Sequence, residues 1–380
     1  MDRQLLMIPG PVEVNPSVLE ALGQPSVGHT SPGFIETFGS CLEGLRIVFA
    51  APDGFPFVVA GSGTLAMEMA VANVIEPGDR AVVIETGTFS QRMADILTRC
   101  GAEVESVTAE VGQVPTFEAV ETALKKGTKV LTITQVDTST GVLAPVKEYA
   151  ALGRRYGALV VVDGVCSVGG QEFRQTEWDI DICLTASQKA LAVPPGLVLV
   201  MVRPRALNVF RSRKTPVSSY YADWTQWLPV MQAYLDRKPA YFATPPVNLI
   251  VALGESVRQI TAEGMESRWQ RHQKLSDAFK AGITALGLKQ IPTKMENRAF
   301  TLTTVFYPQN VDASLVKQIS ELGVDVAGGL YPTIKTRYFR VGHMGNNGIK
   351  EITKTLAALE KALDIRSEAG VNAANLVWSK

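Results

Sequence analysis

A lysine, a carboxylate and a glycine-rich turn carry the chemistry that this sequence offers. Lys189 stands in Thr185-Ala186-Ser187-Gln188-Lys189-Ala190-Leu191-Ala192-Val193-Pro194-Pro195-Gly196, an apolar setting of small residues that follows a strand-like run at 182–185. A lysine after a strand is ordinarily a solvated residue, but here its neighbours are not polar. Desolvation lowers an amine's affinity for protons and frees it for Schiff-base formation. Asp163 ends the apolar run Val160-Val161-Val162-Asp163-Gly164. A strand-tip carboxylate is more often a cap or turn residue, and its burial is costly unless a cation or donors meet it. A pyridinium nitrogen is another kind of partner, and a carboxylate that keeps it protonated makes the ring an electron sink. The third piece is Ala60-Gly61-Ser62-Gly63-Thr64-Leu65-Ala66, between a strand and a helix-like stretch. Small residues there let backbone N–H groups approach a phosphate, and the helix N-terminus adds favourable partial charge.

Taken alone, the turn is ambiguous. It also reads G-x-G-x-x-A, with Glu85 nineteen residues beyond Ala66 at the end of the next strand, as in a dinucleotide-binding fingerprint. A nicotinamide-dependent oxidoreductase therefore competes with a Schiff-base enzyme at this point.

The elements that position these residues follow from periodicity. Val/Ile-rich runs at 57–60, 81–85, 104–108, 130–134, 159–162, 182–185 and 198–202 predict seven strands apolar on both faces. Helical patterns at 65–75 and 117–125 lie between them. This alternation predicts an α/β fold, a mostly parallel seven-stranded sheet between helices, with Asp163 and Lys189 on its carboxyl edge, where open sheets bind ligands. The stretch 203–247 holds Tyr220, Tyr221, Trp224, Trp227, Tyr234, Tyr241 and Phe242 with no sustained period. It reads equally as a functional or subunit-contact loop and as core packing. Beyond Gly264, a helix that puts Trp269, His272, Phe279 and Ile283 on one face is followed by alternating segments at 299–306 and 337–341 and a last helix at 352–363. The chain thus divides into an N-terminal arm (1–16), a large domain (17–262) and a smaller C-terminal α+β domain (263–380).

Composition narrows the function classes. The 380 residues are 46% hydrophobic and 19% charged, with 37 basic and 37 acidic side chains. A zero net charge argues against a general nucleic-acid or anionic-membrane surface. No apolar run approaches the ~20 residues of a membrane span. The four cysteines (Cys41, Cys100, Cys166, Cys183) form no C-x-x-C pair and read as reduced thiols of an intracellular, cytoplasmic protein. With only His29, His272 and His343, no histidine-based metal centre is expected.

In order along the chain stand Gly61-Ser62-Gly63-Thr64, Gly87-Thr88-Phe89, Asp137-Thr138-Ser139-Thr140-Gly141, Val162-Asp163-Gly164 and Ser187-Gln188-Lys189. A dinucleotide fold leaves the last three unexplained. The ordered set resembles the fold-type I, class V pyridoxal-phosphate aminotransferases, in the alanine–glyoxylate and serine–pyruvate branch. Likeness to the fungal-type enzymes is carried by Gly28-His29-Thr30-Ser31-Pro32, Ala240-Tyr241-Phe242-Ala243-Thr244-Pro245-Pro246 and Ala327-Gly328-Gly329. The resemblance runs from Ile8-Pro9-Gly10-Pro11 to Arg340-Val341-Gly342-His343-Met344-Gly345.

The resemblance implies pyridoxal 5'-phosphate as cofactor and a ping-pong transamination between alanine, or serine, and glyoxylate. It implies that Lys189 carries the cofactor as a Schiff base and shuttles the substrate proton, and that Asp163 pairs with the pyridinium nitrogen. Phe89 is implied as the stacking ring, with Ser62, Gly63, Thr64 and Gln188 at the phosphate and Thr138 near the ring. Thr64 stands where some relatives have His, so its backbone role carries over better than its side-chain role. Tyr241 and Thr244 match residues that reach the phosphate of a neighbouring subunit, which implies a homodimer with shared sites. Arg340 is implied to grip the substrate α-carboxylate, a bidentate task that suits its fork; an ordinary ion pair is its structural alternative. His29 is expected near the pocket mouth, with no role assigned. Other donors, such as 2-aminoethylphosphonate, keep the same machinery. A cysteine desulfurase would need a late reactive cysteine, and none follows Cys183.

Overall fold

The computed structural model describes residues 4–380. Its centre is a seven-stranded sheet of β1 (Phe55–Ala60), β2 (Arg80–Ile84), β3 (Glu103–Val107), β4 (Val130–Thr134), β5 (Leu159–Asp163), β6 (Ile182–Ala186) and β7 (Leu197–Val202). The spatial order is β1-β7-β6-β5-β4-β2-β3. Strands β4 to β7 are buried along their whole length, so both faces are covered; β5 and β7 are accordingly near-continuous apolar runs, while β4 and β6 also bury Thr132, Thr134 and Thr185. β3 lies at the edge, where only Val107 is buried; Glu103 and Glu105 pair there with Arg80, a charged edge that discourages further strand addition.

Every neighbouring pair from β6 to β3 is parallel, while β7 runs antiparallel to both β6 and β1. The cause is the length of the connection. Only residues 187–196 separate β6 from β7, too few for the crossover of a dozen or more residues that a parallel return requires. The chain turns back at once, and that tight turn contains Lys189. It is pinned by Ser187, whose Oγ donates to Pro194 O at 2.8 Å and accepts from Leu197 N–H at 3.2 Å.

The aromatic stretch is more ordered than its sequence suggests. It contains helices at Pro204–Arg211 and Trp224–Leu235, the second with Pro229 inside it. Trp224, Trp227 and Tyr234 are buried, whereas Tyr220 and Tyr241 are exposed. After the helix Val247–Glu263, Gly264 turns the chain at φ +80° into the helix Met265–Ala285, which buries the expected Trp269, His272, Phe279 and Ile283.

An antiparallel sheet follows, β8 (Leu302–Phe306), β9 (Ala327–Gly328) and β10 (Tyr338–Gly342), in the order β8-β10-β9. The helix Ile349–Ala362 is not the last element as expected: Ala369–Trp378 forms another and packs on Met265–Ala285. Its two buried positions, Gly370 and Ala374, are small and give a weak apolar signature. Most buried apolar residues from 18–269 form one cluster and most of those from 275–374 a second that includes Met7, while a small third draws on both ranges, with Val136 and Ala190 beside Ala299 and Met344. Met7 belongs there because the N-terminal segment pairs along this region: Leu5–Leu6 runs parallel to Val324–Asp325, and Met7 O accepts from Gly342 N–H at 2.7 Å.

Candidate active site

Strand ends bring the chemistry together. β1 leads into the helix Gly63–Ala72, β2 into Thr88–Arg99, β5 ends on Asp163 and β6 opens the Lys189 turn. Ser62, Gly63, Thr64, Phe89, Thr138, Asp163, Gln188 and Lys189 all line one cavity of about 230 Å³. Met67, Arg92, Val136, Val165 and Cys166 complete its wall.

Asp163 is buried, and burial pushes its carboxyl up to about 6. The Val165 N–H, 2.9 Å from Oδ1, opposes that rise, and the Asp137 charge adds to it. Oδ2 has no protein donor among the described residues, so the carboxylate presents an open acceptor to the cavity. Lys189 is also withdrawn from water, and burial lowers its amine's proton affinity; Cys166 and Asp163 oppose that fall and Arg340 reinforces it. Lys189 Nζ donates to Pro9 O, and its stem lies along Gly10. A Cβ at Gly10 would sit 2.7 Å from Lys189 Cδ, and the residue's φ of +110° also favours glycine.

The glycine-rich turn ends at an open helix N-terminus. The first helical amide with a partner is Ala66, bonded to Ser62 O at 3.1 Å. Those of Gly63, Thr64 and Leu65 have no acceptor among the described residues, and the Ser62 side chain does not cap them. Nearby, the buried Gln188 Oε1 also lacks a partner.

Phe89 is positioned by a buried carboxylate that the sequence reading placed in a motif without a role. Asp137 Oδ2 accepts from the Phe89 and Ser90 N–H groups at 3.0 and 3.2 Å, and Oδ1 accepts from Ser139 Oγ at 2.6 Å. It therefore anchors the first turn of Thr88–Arg99 from outside the helix. Gly87 allows the approach, since a Cβ there would lie 2.5 Å from Asp137 Cγ.

Arg340, on β10, donates from Nε to Gly328 O at 2.8 Å and from Nη1 to Thr138 O at 3.3 Å. No carboxylate of the described residues pairs with it, so the structural ion pair is absent. Burial lowers its proton affinity from the usual guanidinium value. Tyr241 and Thr244 are not brought into this cavity. Tyr241 is 65% exposed, with its ring 5.5 Å from that of His29, and Thr244 lines a separate cavity with Tyr234 and Trp227. Arg92, Pro9 and Gly10 were not named as site residues. Arg92 left no sequence signal, because a helical arginine is ordinarily solvated.

The nicotinamide reading loses its geometry. In the dinucleotide fold the acidic residue ends the strand next to the glycine turn. Here β1 and β2 are separated by β7, β6, β5 and β4, and Glu85 accepts from Gln91 Nε2 at 2.8 Å.

This sheet, with a lysine turn and a carboxylate on its carboxyl edge, defines a fold-type I transferase. More narrowly, the chain belongs to the class V aminotransferases, whose family model, described as "Aminotransferase class-V", matches residues 19–339. It is 37% identical over 378 residues to alanine–glyoxylate aminotransferase 1 of Saccharomyces cerevisiae, covering 95% of this chain and 96% of that one. The structure of an alanine–glyoxylate aminotransferase from Nostoc sp. superposes with a TM-score of 0.90 at 33% identity, covering 96% of both chains. Ureidoglycine–glyoxylate aminotransferase from Bacillus subtilis superposes with a TM-score of 0.93 at 29% identity, covering 100% of this chain and 99% of that one.

Proposed function

We propose that the chain is a pyridoxal 5'-phosphate-dependent aminotransferase that converts alanine and glyoxylate to pyruvate and glycine, with serine as a further donor. The observation that carries the reading is the meeting of a desolvated lysine and an open-sided buried carboxylate in one cavity beside an uncapped helix N-terminus. These groups fit the cofactor. The free oxygen of Asp163 suits a protonated ring nitrogen, the open amides of Gly63, Thr64 and Leu65 suit a phosphate, and Lys189 suits an aldehyde. When bound, the cofactor supplies a ring that withdraws electrons from the substrate α-carbon.

The chain's own residues do the rest. Lys189 would hold the cofactor through its amine, and the same amine, when free, would move the proton at the substrate α-carbon. Asp163 would keep the ring nitrogen protonated, and Phe89 would supply an aromatic wall for the ring. Arg340, held by two carbonyls and free of carboxylates, receives the α-carboxylate bidentately. This favours amino-acid donors over 2-aminoethylphosphonate.

Glyoxylate appears in the names of all three relatives above, whereas the other substrate named is alanine in two and ureidoglycine in the third. The acceptor is therefore the better supported half of the pair. We also propose a homodimer in which Tyr241 and Thr244 serve the neighbouring subunit's phosphate site; their distance from their own cavity is consistent with that. Mixing Lys189→Ala with Tyr241→Ala subunits should then restore activity above either parent, and no restoration would argue against sharing.

The substrate pair is tested by half-reactions. L-alanine should bleach the holoenzyme's yellow band, and glyoxylate should restore it. A yellow protein indifferent to alanine and serine but bleached by another amine would keep the cofactor and replace the donor.

A further inference from the structure

The residues assigned above to the cofactor's phosphate, Ser62, Gly63, Thr64 and Gln188, are all uncharged, yet a phosphate monoester is close to a dianion at neutral pH. A side-chain cation stands beside them. Arg92 is half-buried in the cavity wall, three residues after Phe89 on the same face of the helix Thr88–Arg99. Its guanidinium carbon lies 4.8 Å from the centroid of the Phe89 ring, and Nη1 donates to Thr64 Oγ1 at 3.1 Å. No carboxylate of the described residues forms an ion pair with it. An unpaired guanidinium aimed at the positive end of a helix is electrostatically unfavourable unless an anion lies between them. Its other N–H donors make no hydrogen bond among the described residues, and the fork matches phosphate oxygens.

Arg340, which likewise pairs with no carboxylate of the described residues, donates instead to Thr138 O. The two cations therefore serve different ends of a ligand: Arg340 the substrate carboxylate, and Arg92, through Thr64, the phosphate. We propose that Arg92 is a cofactor-binding residue whose guanidinium binds the 5'-phosphate, with Thr64 and Phe89 holding the fork in place. The inference rests on the cofactor reading above and adds the charge that its ligand set lacks.

The test uses apo-protein and two probes without an aldehyde, 4'-deoxypyridoxine 5'-phosphate and 4'-deoxypyridoxine, so that Lys189 chemistry does not contribute. Equilibrium dialysis of Arg92→Gln should show the phosphorylated probe bound roughly 10- to 100-fold more weakly, with the unphosphorylated probe unchanged. Equal weakening of both probes, or no change in either, would overturn the proposal in favour of a packing role beside Phe89. Arg92→Lys carries the same test if the glutamine variant does not fold. It should lose a few-fold, and only for the phosphorylated probe; an equal effect on both probes overturns the proposal. Wild-type protein that binds neither probe would instead remove the cofactor reading itself.

Discussion

Lys189 and Lys280 are both largely withdrawn from water, and burial depresses the proton affinity of both amines, that of Lys280 to about 7. Their surroundings differ. Lys280, on the helix Met265–Ala285, donates to Ala299 O at 2.7 Å and lies 5.8 Å from the Phe300 ring. Asp277 opposes the fall in its proton affinity and Arg298 reinforces it. Lys189 shares a cavity with Asp163, Phe89 and an open helix N-terminus, and it senses Arg340. A desolvated amine is therefore not by itself a functional site. What separates the two is the convergence of an acceptor for a ring nitrogen, donors for a phosphate and room for a ligand.

The contrast breaks most visibly with Lys189→Ala. Turnover should fall by more than ~10⁴-fold, beyond what a positioned proton carrier alone contributes, because the same amine also holds the cofactor. A variant with a wild-type rate would remove the assignment.

Asp163→Asn comes next, with an expected loss of about 10²–10³-fold in kcat, typical of removing one electrostatic contact to developing charge. The same change should stabilise the cofactor-free protein. The folded-state pKa of Asp163 is raised to about 6, so the penalty for ionising it is absent below about pH 4 and complete above about pH 6. Thermal unfolding of the apo-variant should show a gain on the order of 2–3 kcal/mol at pH 8 that vanishes near pH 4. A gain that grew toward acid would contradict the sign.

Arg340→Lys should cost about 10- to 100-fold in kcat/KM for alanine, mainly through KM, because a lysine cannot reproduce the fork. An unchanged KM would move the carboxylate site elsewhere.

Lys280→Met should have the smallest effect on turnover, within about two-fold, because the amine touches no site group. Its folded-state pKa is lowered, so the cost of charging it is full below about pH 7 and disappears above the ordinary lysine value. The variant should gain ~1–3 kcal/mol of stability at pH 6 and progressively less toward pH 10. Ala299 O keeps a donor in Ser276 Oγ at 3.3 Å. A large loss of turnover would blur the distinction between the two lysines.

How much of this was legible in sequence depended on whether local pattern or tertiary contact decided each feature. Strands β4 to β7 are buried throughout, and largely apolar runs announced them within a residue or two. The reversal of β7 was not announced, although the shortness of the 187–196 connection implies it. Trp224–Leu235 escaped because Pro229 and the aromatic residues mask its period, and Ala369–Trp378 because its buried face is small. Lys189 and Asp163 were legible because a charged residue in an apolar run is conspicuous. Arg92 and Asp137 were not, since their roles arise from Thr64 and from the Phe89 N–H, which are distant in sequence. The Pro9 carbonyl at Lys189 was equally hidden, being set by the path of the N-terminal segment.

The central claim, that Lys189 and not another buried lysine carries the cofactor, is tested most directly by borohydride reduction of the holoenzyme followed by peptide mapping. The expected result is one equivalent of reduced cofactor on the peptide containing Lys189 and none on that containing Lys280. Label on Lys280, or a protein that binds the cofactor but takes no label at Lys189, would contradict the account.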